Sequence, residues 1–195
     1  MHTINGRLRI IVCLVALLVS SSFSQSQAGG SSSDWKAIVQ SRLPLYGHRN
    51  WIVVADSAFP VYATPGIETI AVNDALPSVL KYVASAISSS RHVRATVFLD
   101  KELQFIDERD YPGVSELRRQ ITVPFSKDQV FSIPHTEVMS KIDEAGKTFR
   151  VLFIKTSATI PYTSVYMRLD CGYMSDEVER KIRTAMADAG SREPK

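Results

Sequence analysis

Only two cysteines occur in this 195-residue chain, Cys13 and Cys171. Cys13 lies in an N-terminal apolar run and lacks a lipobox context, so a lipoprotein is not indicated. Loss of that run would leave Cys171 alone and exclude an intrachain disulfide. A buried inert thiol is the commoner state of such a residue, and pairing between two chains is the alternative. The fold must then be held by its core or by subunit contacts. Other absences exclude whole reaction classes. Gly113 and Gly146 stand alone, so no glycine-rich loop cradles a phosphate. No Gly-x-Ser-x-Gly elbow supports Ser/His/Asp hydrolysis. No spacing of His, Cys or acid suggests a metal site. Neither a metal nor a nucleotide cofactor is expected.

An excess of one charge is missing too. The chain has 23 basic and 20 acidic residues. Arg7 and Arg9 precede the apolar run Ile10–Val19, and Ser26-Gln27-Ala28 supplies a small-residue cleavage site. The run is too short to span a bilayer comfortably, which takes ~20 apolar residues. Residues 1–28 therefore read as a signal peptide. A signal anchor is the alternative, but the serine-rich stretch that follows argues for cleavage and for a secreted or periplasmic protein. Removal of the two leader arginines leaves a net charge of +1 on 167 residues. A balance so near zero argues against nucleic acid and against an anionic membrane surface as partners. That length suits one domain with a full core.

What is present alternates between helical and strand patterns. Residues 29–33 are a Gly/Ser linker, and one domain is expected over 34–190. Ser33 or Asp34 can cap a helix carrying Trp35, Ile38, Val39 and Leu43 on one face. Trp51–Ala55 is an apolar run between polar signals, the pattern of a strand buried on both faces. A short strand over Gly66–Val72 precedes a helix capped by Asn73 or Asp74, with Leu76, Val79, Leu80, Val83 and Ile87 inward. Strands are expected over Val93–Leu99, Val130–Ile133, Phe149–Ile154 and Val165–Leu169. Gly113–Gln120, Thr136–Ala145 and Ser175–Ala189 are expected helices, and Lys101–Pro112 a charged and aromatic loop. The alternation predicts an α/β fold, a mostly parallel sheet flanked by helices. The last two strands, joined only by a loop, are expected to pair antiparallel at one edge.

Three histidines remain once His2 leaves with the leader. His48 precedes the buried run Trp51–Ala55, and Asp56 follows it. Imidazole and carboxylate would stand at opposite ends of one strand, or face a common cleft with a neighbouring subunit. His135 follows Pro134 at a strand-to-helix junction, while His92 sits beside Arg91 in a charged setting. Each has a plainer reading: a loop histidine is often an ordinary surface residue, Asp56 can cap a turn, and Tyr162 can pack with its hydroxyl in solvent.

The segment Gly47–Pro60, GHRNWIVVADSAFP, resembles the signature of the RbsD/FucU family of D-ribose pyranases and L-fucose mutarotases, a Gly-His-x-Asp, an apolar strand, then Asp-Ala-x-x-Pro. Val72–Ser78 is similar to that family's strand-to-helix turn, Pro134-His135-Thr136-Glu137 to its helix start, and Ile160–Val165 to its Pro-Tyr-x-Asn segment. Order and spacing agree from about Leu43 to Tyr173. The resemblance implies a homo-oligomeric ring with a monosaccharide pocket at a subunit boundary. It also implies interconversion of sugar ring forms without cofactor. By motif position His48 would transfer the proton, Asp56 would accept sugar hydroxyls, and His135, Tyr162 and Ser164 would line the pocket. Three positions depart from the pattern: Asn50 replaces an acid, Ser57 an alanine and Ser164 an asparagine.

The chemistry suits these residue types. Ring opening needs one proton removed from the anomeric hydroxyl and one delivered to the ring oxygen, and positioned acid–base groups contribute ~10²–10⁴-fold. A carboxylate can accept from two adjacent hydroxyls at once and hold a sugar in register. Three readings remain, of which two keep an open pocket: an exported mutarotase or pyranase-like isomerase, or a monosaccharide-binding module with the same pocket and no turnover. A purely structural member with a closed pocket is a third.

Overall fold

Five consecutive buried residues, Trp51–Ala55, form strand β1 in the interior of a six-stranded sheet. The computed structural model describes residues 34–190. The signal peptide and linker expected over 1–33 lie outside the described residues. In chain order, helix α1 (Asp34–Arg42) and β1 are followed by β2 (Ile67–Ala71), α2 (Leu76–Ser89), β3 (Val93–Asp100) and α3 (Val114–Thr122). Then come β4 (Val130–Ile133), α4 (His135–Thr148), β5 (Val151–Lys155), β6 (Val165–Cys171) and α5 (Asp176–Gly190). The strand order is β2-β5-β1-β6-β3-β4. Five strands share one direction, and β6 runs against both of its neighbours, β1 and β3. The fold is therefore α/β, with a mostly parallel sheet flanked by helices.

The expected antiparallel edge pair of β5 and β6 is not formed, because β1 lies between them. Burial explains the difference. Most of β6 is buried, so it belongs inside the sheet and not at a rim. The connection from Thr156 to Ser164 is long enough to step over β1, since strands lie about 4.8 Å apart. Thr156 N–H donates to the Ala55 carbonyl at 2.8 Å, and Ser57 N–H to the Ala158 carbonyl at 2.8 Å, fastening the crossing to the end of β1.

Side-chain alternation along the strands divides the core into two layers. Ile52 and Val54 join α1, α2 and α3 on one face with Val39, Leu80 and Ile121. Trp51, Val53 and Ala55 join Val138 and Ile142 of α4 on the other. Gly66 allows close approach on that second side: a Cβ there would collide with the Gly146 carbonyl oxygen and come within 2.8 Å of that of Phe149.

Two local expectations are corrected. The residue before α2 is Ala75, and no side chain caps this helix. Asp74 is instead drawn away, accepting from Trp35 Nε1 at 2.6 Å and so tying α1 to the α2 entry. The expected loop after β3 begins with a 3₁₀ turn, Lys101–Phe105. Leu103 is buried there, and the Arg118 guanidinium donates to the carbonyls of Leu103 and Ile106. Ser175 does cap α5, its Oγ accepting from Val178 N–H at 3.3 Å.

Candidate functional site

The reversed direction of β6 decides which residues meet. Val165, at its start, pairs with Val54 near the end of β1 and with Leu99 near the end of β3. Asp56, Asp100 and Ser164 are thereby gathered at one edge of the sheet. The C-terminal end of β4 lies beside β3 at that edge and leads through Pro134 into α4, delivering His135. Outside the carboxyl ends of parallel strands is where open α/β sheets commonly take ligands.

A cleft of about 740 Å³ opens here, its lining including Asp56, Phe59, Tyr62, Asp100, His135 and Tyr162. Its size falls in the ~300–1,000 Å³ range of small-molecule sites, and its wall is mainly apolar with a few polar groups. Asp56 is half-buried and fixed by its own surroundings. Its Oδ1 accepts from Ala58 N–H at 3.0 Å, and its Oδ2 accepts from Ser164 Oγ–H at 3.0 Å. Ser164 is buried and does not line the cleft, so it acts on the site through Asp56.

Asp100 is the residue sequence reasoning missed. It is 1% exposed, yet its Oδ1 lies 3.1 Å from His135 Nδ1 and its Oδ2 accepts from Tyr166 Oη–H at 3.3 Å. Burial pushes its carboxyl up to about 6 against the opposing pull of His135. Tyr166 is raised well above the ordinary phenol value, first by burial and then by the Asp100 charge. Tyr62 is raised by burial and by Asp143 across the cleft. The available signal for Asp100 was an acid closing an apolar strand, the same placement as Asp56 after β1.

His135 opens α4, with its backbone N–H held between the two oxygens of Glu102 at 3.1 and 3.0 Å. The Tyr162 ring meets the imidazole edge-on, with centroids 5.5 Å apart. Tyr162 has φ of 58°, the left-handed region, which is uncommon for a bulky side chain and concentrates at functional sites.

His48 stands elsewhere. It lies before β1, at the other edge of the sheet, separated from Asp56 by a five-residue strand of about 17 Å. Its ring is 57% exposed, and its Nε2 is 3.7 Å from Asp170 Oδ1. Asp170 also receives Arg168 in a two-pronged contact at 3.1 Å and Thr96 Oγ–H at 2.6 Å. A carboxylate thus neighbours His48 from β6, while Asn50 closes the turn by accepting from Gly47 N–H at 2.9 Å. His92 has a structural role, its Nε2 within 3.2 and 3.1 Å of the Leu43 and Tyr46 carbonyl oxygens. Within one chain, then, Asp56, His135, Tyr162 and Ser164 come together and His48 does not join them. Among the described residues, no three His, Cys, Asp or Glu side chains are grouped to hold a metal ion.

No protein-family profile matches the sequence. No curated protein matches it either. Among solved structures, the chain is similar to RbsD of Bacillus subtilis complexed with D-ribose, at 17% identity and a TM-score of 0.48 over 73% of this chain and 95% of that one. It is similar to the fucose mutarotase of Streptococcus pneumoniae in complex with L-fucose, at 14% identity and a TM-score of 0.47 over 71% and 92% of the two chains. FucU from Bifidobacterium longum gives 13% identity and a TM-score of 0.44 over 69% and 94%.

Proposed function

We propose that the cleft binds a monosaccharide and speeds the interconversion of its ring or anomeric forms by acid–base proton transfer. The observation that carries this reading is the convergence of Asp56, Asp100, His135 and Tyr162 on one cleft with apolar walls. Carboxylates accept the hydroxyls of a sugar, and aromatic walls cover the C–H face of its ring. The motif resemblance between Gly47 and Val165 supports the same substrate class. In this reading the protein is exported and homo-oligomeric. His48 of a neighbouring copy then reaches the cleft to take the anomeric proton, since its own chain holds it at the far edge of the sheet. No cofactor enters the reaction.

A second reading, a binding module without turnover, is favoured by that same separation of His48 from Asp56. Saturation-transfer NMR across a panel of aldoses tests both, because it sees binding and anomeric exchange together. Faster exchange of at least one bound aldose supports the isomerase. Binding without acceleration between about pH 5 and 9, the span in which an imidazole changes charge, decides for the module. Absence of binding to every aldose overturns both.

A further inference from the structure

Asp100 is a buried carboxylate in the wall of the cleft with an incomplete set of partners. Its Oδ1 and His135 Nδ1 are both fully buried and have no aligned hydrogen-bond partner, although they face each other at 3.1 Å. The distance is that of a hydrogen bond and only the angle is poor. The distance is the more telling quantity, because neither atom has another hydrogen-bond partner. A buried carboxylate left unpaired would be costly, so the contact is the one the site is built around.

We propose that Asp100 is a positioning residue that holds His135 with Nδ1–H toward the carboxylate and Nε2 toward the cleft, making His135 the group that delivers a proton to the sugar ring oxygen. The proposal rests on the reading of the cleft as a sugar site. Three observations fix the arrangement. His135 Nδ1 is fully buried while its side chain is 34% exposed, so the open part of the ring is the Nε2 side. Glu102 anchors the His135 backbone, and the Tyr162 ring bounds the imidazole edge-on. Tyr166 holds the second oxygen of Asp100, so the carboxylate cannot swing away.

The step balances. A base takes the proton of the anomeric hydroxyl while protonated His135 gives the Nε2 proton to the ring oxygen. The bond between anomeric carbon and ring oxygen breaks, and the carbonyl forms. Ring closure on either face of the carbonyl reverses both transfers, returning a proton to His135. A carboxylate on the far nitrogen fixes the tautomer and orientation of the ring, as in other aspartate–histidine pairs.

The test compares wild type with Asp100→Asn, a near-isosteric change. Imidazole ¹⁵N shifts, assigned by the signal lost in His135→Gln, report the tautomer directly and need no sugar. Wild type is expected to carry the Nδ1–H tautomer, and Asp100→Asn to lose that preference. Exchange acceleration should fall by about 10²-fold in Asp100→Asn, with affinity changed less than about threefold. An Nε2–H tautomer in wild type overturns the positioning role whether or not the variant folds. An unchanged exchange rate in a folded variant overturns the proton-delivery role. If wild type itself accelerates no sugar, the isomerase reading fails and proton delivery falls with it, while the tautomer result still decides the positioning role.

Discussion

Ser164 Oγ both donates to Asp56 Oδ2 at 3.0 Å and accepts from Asp56 N–H at 3.3 Å. One small hydroxyl thus fastens the main chain and the side chain of a cleft carboxylate across 108 positions of sequence. Ser164→Ala should lower stability by ~1 kcal/mol for the lost hydrogen bonds. It should also weaken sugar binding, because Asp56 is then held only through Oδ1, by Ala58 N–H. Urea unfolding and a saturation-transfer titration would read the two effects. Unchanged values in both would remove Ser164 from the site.

Tyr162 makes a different kind of contribution. A non-glycine residue in the left-handed region costs ~1–2 kcal/mol relative to glycine. Here that cost accompanies an edge-on ring contact with His135. Tyr162→Gly should therefore be more stable than Tyr162→Ala by about 1 kcal/mol, the reverse of the order in a helix. Both variants should bind sugar more weakly than wild type through loss of the aromatic wall. Thermal unfolding of the pair checks the order, and an alanine variant at least as stable as the glycine one would contradict the backbone argument.

Much of this arrangement was readable before the fold was known, and the exceptions share a cause. Strand β1 announced itself because a strand buried on both faces is an uninterrupted apolar run. Asp56, His135 and Tyr162 were visible because each sits in a short motif beside a strand pattern. Asp100, Tyr166 and Asp170 were not, because each becomes meaningful only through the placement of β6. An aromatic inside a strand reads as core, and an acid at a strand end reads as a turn. Nothing local states that β6 inverts and enters the sheet between β1 and β3, bringing Tyr166 against Asp100 and Asp170 against His48. The same non-local fact displaced the expected β5–β6 pairing.

Asp100 also predicts a pH dependence of stability. Burial raises its carboxyl from an ordinary 3.8 to about 6. A raised value means that the folded state binds the proton more tightly than the unfolded chain. The stabilisation is fully present below about pH 4 and is lost as pH rises through about 6. The loss is on the order of 2–3 kcal/mol at a group this buried. Asp100→Asn cannot ionise, so its unfolding free energy should fall less than that of wild type between pH 4 and 7. Denaturant unfolding across that range supplies the comparison, and parallel curves for the two proteins would contradict it.

The last prediction concerns the separation of His48 from Asp56. Both flank β1, one before it and one after, so no side-chain rotation brings them to a single sugar in one chain. If both act on the same molecule, each pocket must combine Asp56 of one copy with His48 of another. Two inactive variants, His48→Ala and Asp56→Ala, then carry complementary defects. Mixed and allowed to reassort, they should regain activity, because roughly a quarter of randomly formed pockets would hold both intact side chains. Neither variant alone should recover on the same treatment. The measurement is anomeric exchange by NMR, with sedimentation or native mass spectrometry confirming that mixed assemblies have formed. Mixed assemblies without recovered exchange would mean that His48 and Asp56 do not share a pocket. Proton transfer would then fall to groups already on the Asp56 side of the sheet, with His135 the first to examine.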